Sequence, residues 1–171
     1  MVLVKSSILQ VAGYKNSGKT TFIEKLLEQF DRIGKVVVTI KSHGHGGQPK
    51  TYETKDSDRH LTAGAVASLV EGDGRMILQA ERKGWTLDEK IRLISYFHPE
   101  LIIIEGHKRE SYPKIVLIRE QKDLNLLNEL ANIIMVLYWD INMKENEDFP
   151  SFQINDLSAI LWIMEYVSIK T

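Results

Sequence analysis

Gly13-Tyr14-Lys15-Asn16-Ser17-Gly18-Lys19-Thr20 reads as a glycine, four residues, then glycine, lysine and a hydroxyl side chain. Before it, Ser7 to Ala12 is a short apolar run ending at the first glycine; after it, Lys19 to Phe30 places Ile23, Leu26, Leu27 and Phe30 at helical spacing. Strand, loop and helix thus follow in the order that a phosphate-binding loop requires. The glycines let the backbone wrap closely enough for its N–H groups to point at an anion, and the helix aims the positive end of its dipole at the same spot. Lys19 adds a point charge for the β- and γ-phosphates, and the Thr20 hydroxyl is placed to ligate a Mg²⁺ shared with those oxygens. Gly13, Ser17, Gly18 and Thr21 complete the candidate contacts. Lys15 and Asn16, at the centre of the loop, could stabilise charge on the transferring phosphoryl group, with simple solvent exposure as the alternative.

Working outward, Val36 to Ile40 is a β-branched run preceded by Gly34 as a helix stop. Continuous rather than alternating hydrophobicity marks strands covered on both faces, so these runs predict an α/β fold of the P-loop NTPase type, a mostly parallel sheet flanked by helices. Leu101 to Ile104 is the most apolar short run and reads as a buried central strand; Lys114 to Arg119 and Ile133 to Tyr138 supply two more, and Asp156 to Val167 a closing apolar helix. Ala65 to Val70 and Arg75 to Ala80 flank Glu71 to Gly74, the signature of a β-hairpin insertion. Thr86-Leu-Asp-Glu89 resembles a capping box ahead of a helix carrying Ile91, Leu93, Ile94 and Phe97, stopped by Pro99.

Two further segments bear on chemistry. Glu105, closing the apolar Leu101 to Ile104 run, is the acid expected to orient a Mg²⁺-bound water beside the loop, with an ordinary strand-end carboxylate as the alternative, and the Gly106 N–H could donate to a γ-phosphate. Lys41 to His60, with His43, His45, Asp56, Asp58 and His60, reads as a long polar loop. Three uses of it stay open: a flexible metal site on the histidines, a nucleotide-dependent switch in which Asp56 meets a Mg²⁺-bound water, and a merely solvated loop.

Length and composition bound the rest. With 171 residues, 43% of them hydrophobic, one domain spanning 1–171 is expected. The 22 Lys and Arg against 23 Asp and Glu give no field that argues for nucleic acid or an anionic membrane. The absence of cysteine excludes disulfides, thiolate metal sites and a thiol nucleophile, and fits a cytoplasmic setting. No apolar run approaches the roughly 18 residues of a spanning helix, and the glycine-lysine loop comes too early for a signal peptide.

The segments VAGYKNSGKTTFIEKL, TIKSHGHGG, KDSDRHLTAGA, LIIIEGHK and PKIVLIR, spread from Ile8 to Arg119, resemble the MobB proteins. The resemblance implies a small GTP-binding accessory protein that assists attachment of a guanosine nucleotide to molybdopterin. It further implies a homodimer working beside a molybdopterin guanylyltransferase, with molybdopterin itself as a candidate ligand. By this match Gly13 to Thr20 bind phosphate, Glu105 and Gly106 form the second nucleotide motif, and the His43 and Asp56 segments line the same cleft. No Asn- or Thr-Lys-x-Asp guanine motif is present, since Thr54-Lys55-Asp56-Ser57 lacks the final acid. The expectation of GTP therefore comes from the resemblance alone. No general base is evident, so any hydrolysis would be slow and Mg²⁺-dependent. A small-molecule kinase, which would need an arginine-rich lid where Arg75, Arg82 and Arg92 are scattered, and a non-hydrolysing adaptor are the alternatives.

Overall fold

A computed structural model describes residues 6–42, 55–144 and 148–170. Those residues form eight strands, β1 (Ser7–Ala12), β2 (Val37–Lys41), β3 (Ala67–Gly72), β4 (Arg75–Ala80), β5 (Leu101–Glu105), β6 (Lys114–Ile118), β7 (Ile133–Tyr138) and β8 (Ser151–Gln153), and five α-helices. The helices are α1 (Lys19–Arg32), α2 (Lys55–Thr62), α3 (Leu87–Ile94), α4 (Asn125–Glu129) and α5 (Leu157–Lys170). Two compact units emerge, Met1–Gly44 with Ile91–Thr171, and His45–Lys90. No described helix is long and apolar enough to cross a membrane.

The larger unit holds a six-stranded sheet in the order β2-β5-β1-β6-β7-β8. Every pairing in it is parallel. The sheet is therefore the parallel one expected of continuous apolar runs, and β5 lies between β1 and β2 rather than leaving those sequential strands adjacent. Register brings three strand ends level: Val11 and Lys41 both pair with Glu105, and Ala12 with Val116. In a parallel sheet that shared C-terminal edge is where ligands are received.

Strand residues alternate between two apolar layers. Leu9, Val11, Leu101, Ile103, Ile115, Leu117, Met135 and Leu137 pack with Phe22, Ile23, Leu26 and Phe30 of α1 and with Ala159, Ile160, Ile163 and Val167 of α5. On the opposite face Val116, Ile118, Val136 and Tyr138 pack with Leu126 of α4. Phe22 and Leu26 are fully buried, and emptying either position would cost about 2–5 kcal/mol, enough to dissolve the element that carries the loop. Gly34 ends α1 as its sequence position predicts: at φ 69° its N–H donates to the Asp31 carbonyl at 2.8 Å and the Lys35 N–H to Phe30 at 3.0 Å, a Schellman stop.

The smaller unit contains the expected hairpin, β3 and β4 in antiparallel register around Asp73 and Gly74, both at positive φ. That pair of left-handed residues makes the turn that right-twisted strands accept. Thr86 and Glu89 form the expected capping box: the Thr86 N–H donates to Glu89 Oε2 at 2.9 Å and the Glu89 N–H to Thr86 Oγ1 at 3.2 Å.

Two expectations are corrected, and one strand had no expectation at all. The polar stretch read as loop up to His60 contains α2 from Lys55 onward, which the apolar periodicity missed because α2 is pinned by polar contacts instead: Ser57 Oγ donates to Gln79 Oε1 at 2.9 Å and Gln79 Nε2 to Asp58 Oδ1 at 3.0 Å. α3 ends at Ile94, and a single 3₁₀ turn, Ser95–Phe97, closed by His98 in the left-handed region, carries Phe97 out to half exposure instead of onto an apolar face. The three-residue strand β8 has only Phe152 as an apolar member, too short a signal to read.

Candidate functional site

Gly13 is buried, and a Cβ there would stand 2.5 Å from Ser17 Oγ and 3.2 Å from the Leu117 carbonyl, so the loop folds back on itself against β6 only with glycine at this place. Asn16 at φ 60° and Gly18 at φ 92° turn the backbone through left-handed geometry, the conformation in which successive N–H groups form an anion-binding concavity. Gly18 then starts α1, with no side chain capping that helix. Its free N-terminal turn, with Thr20 and Thr21 exposed on it, can take an anion as its cap.

Side chains that sequence reading passed over fix the loop from outside. Arg119, just beyond β6, donates from its guanidinium to the Asn16 carbonyl at 2.5 Å, and Trp139, just beyond β7, donates from Nε1 to the Ser17 carbonyl at 2.9 Å. Because a trans peptide sets its N–H opposite its carbonyl, the Trp139 contact fixes the Gly18 N–H on the other side of that peptide. Arg119 lies 4.9 Å above the Trp139 ring, and its own N–H, with that of Glu120, donates to the buried Asp123 carboxylate at 3.0 and 3.1 Å. Each of these residues follows or caps a strand end, a position whose meaning only strand order reveals.

Lys19 curls over the loop, its ammonium donating to the Tyr14 carbonyl at 2.5 Å and to Ser17 Oγ at 3.3 Å. Burial is the main force holding its pKa below the ordinary lysine value; Glu105 pulls the other way, and the ammoniums of Lys108 and Lys41 push it further down. Lys15 and Asn16 are exposed at the loop tip.

Thr20 and Glu105 meet as the sequence reading requires. Thr20 Oγ1 lies 3.2 Å from both carboxylate oxygens, and Lys41 Nζ sits 3.0 Å from Thr20 Oγ1 and 3.1 Å from Glu105 Oε2. The Lys41 ammonium thus sits between a hydroxyl and a carboxylate, and hard oxygen donors of this kind are ones that could hold Mg²⁺. Among the described residues no three His, Asp or Glu side chains gather into a metal cage. The ion would take its remaining ligands from phosphate and water.

Gly106 lies beside Glu105 at φ 94°, but its N–H donates to the Val11 carbonyl at 3.2 Å. The expectation that it donates to a γ-phosphate is corrected: the group is already committed to the sheet edge. His43 and His45 lie outside the described residues, as does the Asp56 side chain, whose backbone belongs to α2 of the smaller unit. His60 is exposed in the last turn of α2. Of the arginines a kinase lid would need, Arg82 pairs with Glu89 and lies 3.9 Å over the Trp85 ring.

The family model described as "Molybdopterin guanine dinucleotide synthesis protein B" matches residues 8–139, from β1 through the loop and Glu105 to Trp139. The chain belongs to the MobB family. Over 167 residues it is 41% identical to a Bacillus subtilis protein named "Probable molybdopterin-guanine dinucleotide biosynthesis adapter protein", covering 96% of this chain and 95% of that one. The crystal structure of Bacillus subtilis MobB superposes with a TM-score of 0.82 at 38% identity, over 93% of this chain and 96% of that one. A MobB homologue from Bacillus stearothermophilus gives 0.77 at 35% identity, over 95% and 98%. The MobB match covers every residue of the loop, so the fold and the phosphate-loop motif arrive together with the family.

Proposed function

We propose that this chain binds GTP with Mg²⁺ and serves as an adapter in making the guanine dinucleotide form of the molybdenum cofactor, beside a molybdopterin guanylyltransferase in the cytoplasm. The observation that carries the nucleotide part is the loop itself: a helix start without a side-chain cap, a left-handed turn at Asn16 and Gly18, and Lys19, Thr20 and Glu105 converging on it. Thr20 and Glu105 would hold Mg²⁺, which when bound offsets charge on the β- and γ-oxygens. Relatives named as molybdopterin-guanine dinucleotide biosynthesis adapter proteins, from Bacillus subtilis to Haemophilus influenzae, support the pathway. No residue of the loop is assigned as a general base, so slow turnover, resting on positioning and Mg²⁺, is part of the same proposal.

The same reading includes a homodimer. One face of the two-stranded sheet of β3 and β4 presents Leu69, Met76 and Leu78 substantially exposed, and a second copy supplies the matching apolar face. Calorimetric titration with GTP, ATP, GDP and tripolyphosphate in Mg²⁺, on the native chain and on Lys19→Ala, tests the proposal. Tighter binding of GTP than ATP, lost in Lys19→Ala with an unchanged circular dichroism spectrum, is expected; GTP affinity unaffected by that substitution would overturn it.

A further inference from the structure

Besides Lys19 and Lys41, a third ammonium faces the loop. Lys108 Nζ lies 4.0 Å above the ring of Tyr14, the second loop residue, whose carbonyl in turn accepts from Lys19. The segment that delivers Lys108 is strapped down on both sides. Gln10 Nε2, buried in β1, donates to the Gly106 carbonyl at 2.8 Å and to that of His107; Lys114 Nζ donates to the carbonyls of Glu110 and, at 3.0 Å, Tyr112; Asn132 Nδ2 donates to Ser111 at 2.5 Å. Lys108 therefore stands on a fixed platform, not on a free loop.

Its charge is poorly met there. A ring face is a weak hold beside a charge-assisted hydrogen bond, and the stem is half-buried. Burial chiefly lowers the Lys108 pKa, with Glu129 and Asp123 opposing, and Lys108 in turn lowers that of Lys19. Lys19, Lys41 and Lys108 thus crowd one concavity, where Glu105 is already shared between Lys41 and Thr20 and Asp123 accepts two backbone N–H groups. A polyanion would relieve that crowding.

We infer that Lys108 is a further phosphate ligand of the loop, leaving the Tyr14 ring to bind the terminal phosphoryl group of a triphosphate opposite Lys19. The inference rests on the nucleotide reading proposed above. It makes Lys108 the residue that distinguishes triphosphate from diphosphate, because Lys19 and the loop N–H groups reach the β-phosphate in either case.

Lys108→Met keeps the aliphatic stem against Tyr14 and removes the charge; Lys108→Arg keeps the charge. Each would be titrated with GTP, GDP, tripolyphosphate and pyrophosphate in Mg²⁺, beside Lys19→Ala, with thermal unfolding of every unliganded variant. Loss of one charge-assisted contact predicts that Lys108→Met weakens both triphosphates by about tenfold to a hundredfold and both diphosphates by less than about threefold. Lys108→Arg should restore most of the difference, and unfolding temperatures should match. Unchanged triphosphate affinity in Lys108→Met while Lys19→Ala abolishes binding would overturn the inference alone. Equal losses for tri- and diphosphates would overturn the terminal-phosphate assignment. Indifference to Lys19→Ala would overturn the nucleotide reading and this inference with it.

Discussion

Gly13→Ala puts the loop's geometry to a quantitative test. The new Cβ would sit 2.5 Å from Ser17 Oγ, 3.2 Å from the Leu117 carbonyl and 3.3 Å from Leu117 Cβ. Ordinary contact begins near 3.4 Å, so Ser17 must retreat by nearly an ångström, and Leu117, fully buried in β6, blocks escape on the other side. Overpacking of this kind costs about 1–3 kcal/mol. For a chain of this length that lowers the unfolding temperature by roughly 2–4 °C per kcal/mol. Displacing Ser17 also moves the carbonyl held by Trp139 and the Lys19 ammonium that touches Ser17 Oγ, so triphosphate affinity should fall together with stability. A double-mutant cycle isolates the cause. Ser17→Ala removes the clashing oxygen, so Gly13→Ala should cost less in that background, by about 1 kcal/mol, with the Leu117 contacts accounting for what remains. Thermal unfolding followed by circular dichroism measures all four species. An equal cost in both backgrounds, or none in either, would refute the argument that Gly13 is required by the approach of Ser17.

Three further outcomes are expected. Glu105→Gln keeps the shape but loses the charge facing Thr20 and Lys41, so it should weaken Mg²⁺-dependent triphosphate binding more than binding in chelator, and equal loss in both would exclude a metal role. Hydrogen bonds from Arg82 first, then from the backbone and hydroxyl of Thr86, push the Glu89 carboxyl down to about 2, below its unfolded value; the cap's contribution is therefore complete above about pH 4.5 and lost as pH falls towards 2. Carboxyl chemical shifts against pH read this directly, and a midpoint near 4.5 for Glu89 would contradict it. Leu69→Glu with Leu78→Glu, a directly paired couple on the hairpin, should turn a concentration-dependent dimer into a monomer in sedimentation, a result that a native chain already monomeric at every concentration would rule out.

How far the sequence could be read follows from which signals are local. β1, the loop and α1 are contiguous, and the apolar runs of β5, β6 and β7 are dense enough to announce buried parallel strands, so fold class and loop were legible together. Glu105 was legible because it ends the most apolar run. Strand order was not, since nothing in one chain segment states that β5 inserts between β1 and β2, and it is this insertion that sets Lys41 level with Glu105. α2 escaped because its helix is held by Ser57 and Asp58 to Gln79, contacts that leave no apolar period.

Strand order also explains why the near-neutral composition concealed the chemistry of the site. Lys41 ends β2, Lys108 follows β5, Arg119 follows β6 and Lys19 opens α1, far apart in a chain whose 22 basic residues are balanced by 23 acids. A parallel sheet carries the C-terminal ends of its strands to one edge, so residues placed just after separate strands add their charges at a single point. Net charge, being a sum over the chain, cannot register that gathering, whereas topology produces it directly. Arg119 answers the Asn16 carbonyl and Trp139 the Ser17 carbonyl, so part of this edge shapes the loop, Lys41 pairs with Glu105, and the ammoniums of Lys19 and Lys108 stand where they would meet an anion. Removing a shaping residue and removing an ammonium should consequently differ. Trp139→Phe, which keeps an aromatic ring beside Arg119 but loses the indole donor to Ser17, should weaken diphosphate and triphosphate alike, because it disturbs the Gly18 peptide that both would share, in contrast to the selective loss assigned to Lys108. Calorimetry with GDP and GTP decides it, and a triphosphate-selective loss in Trp139→Phe would show that shaping and charge are not separable at this edge.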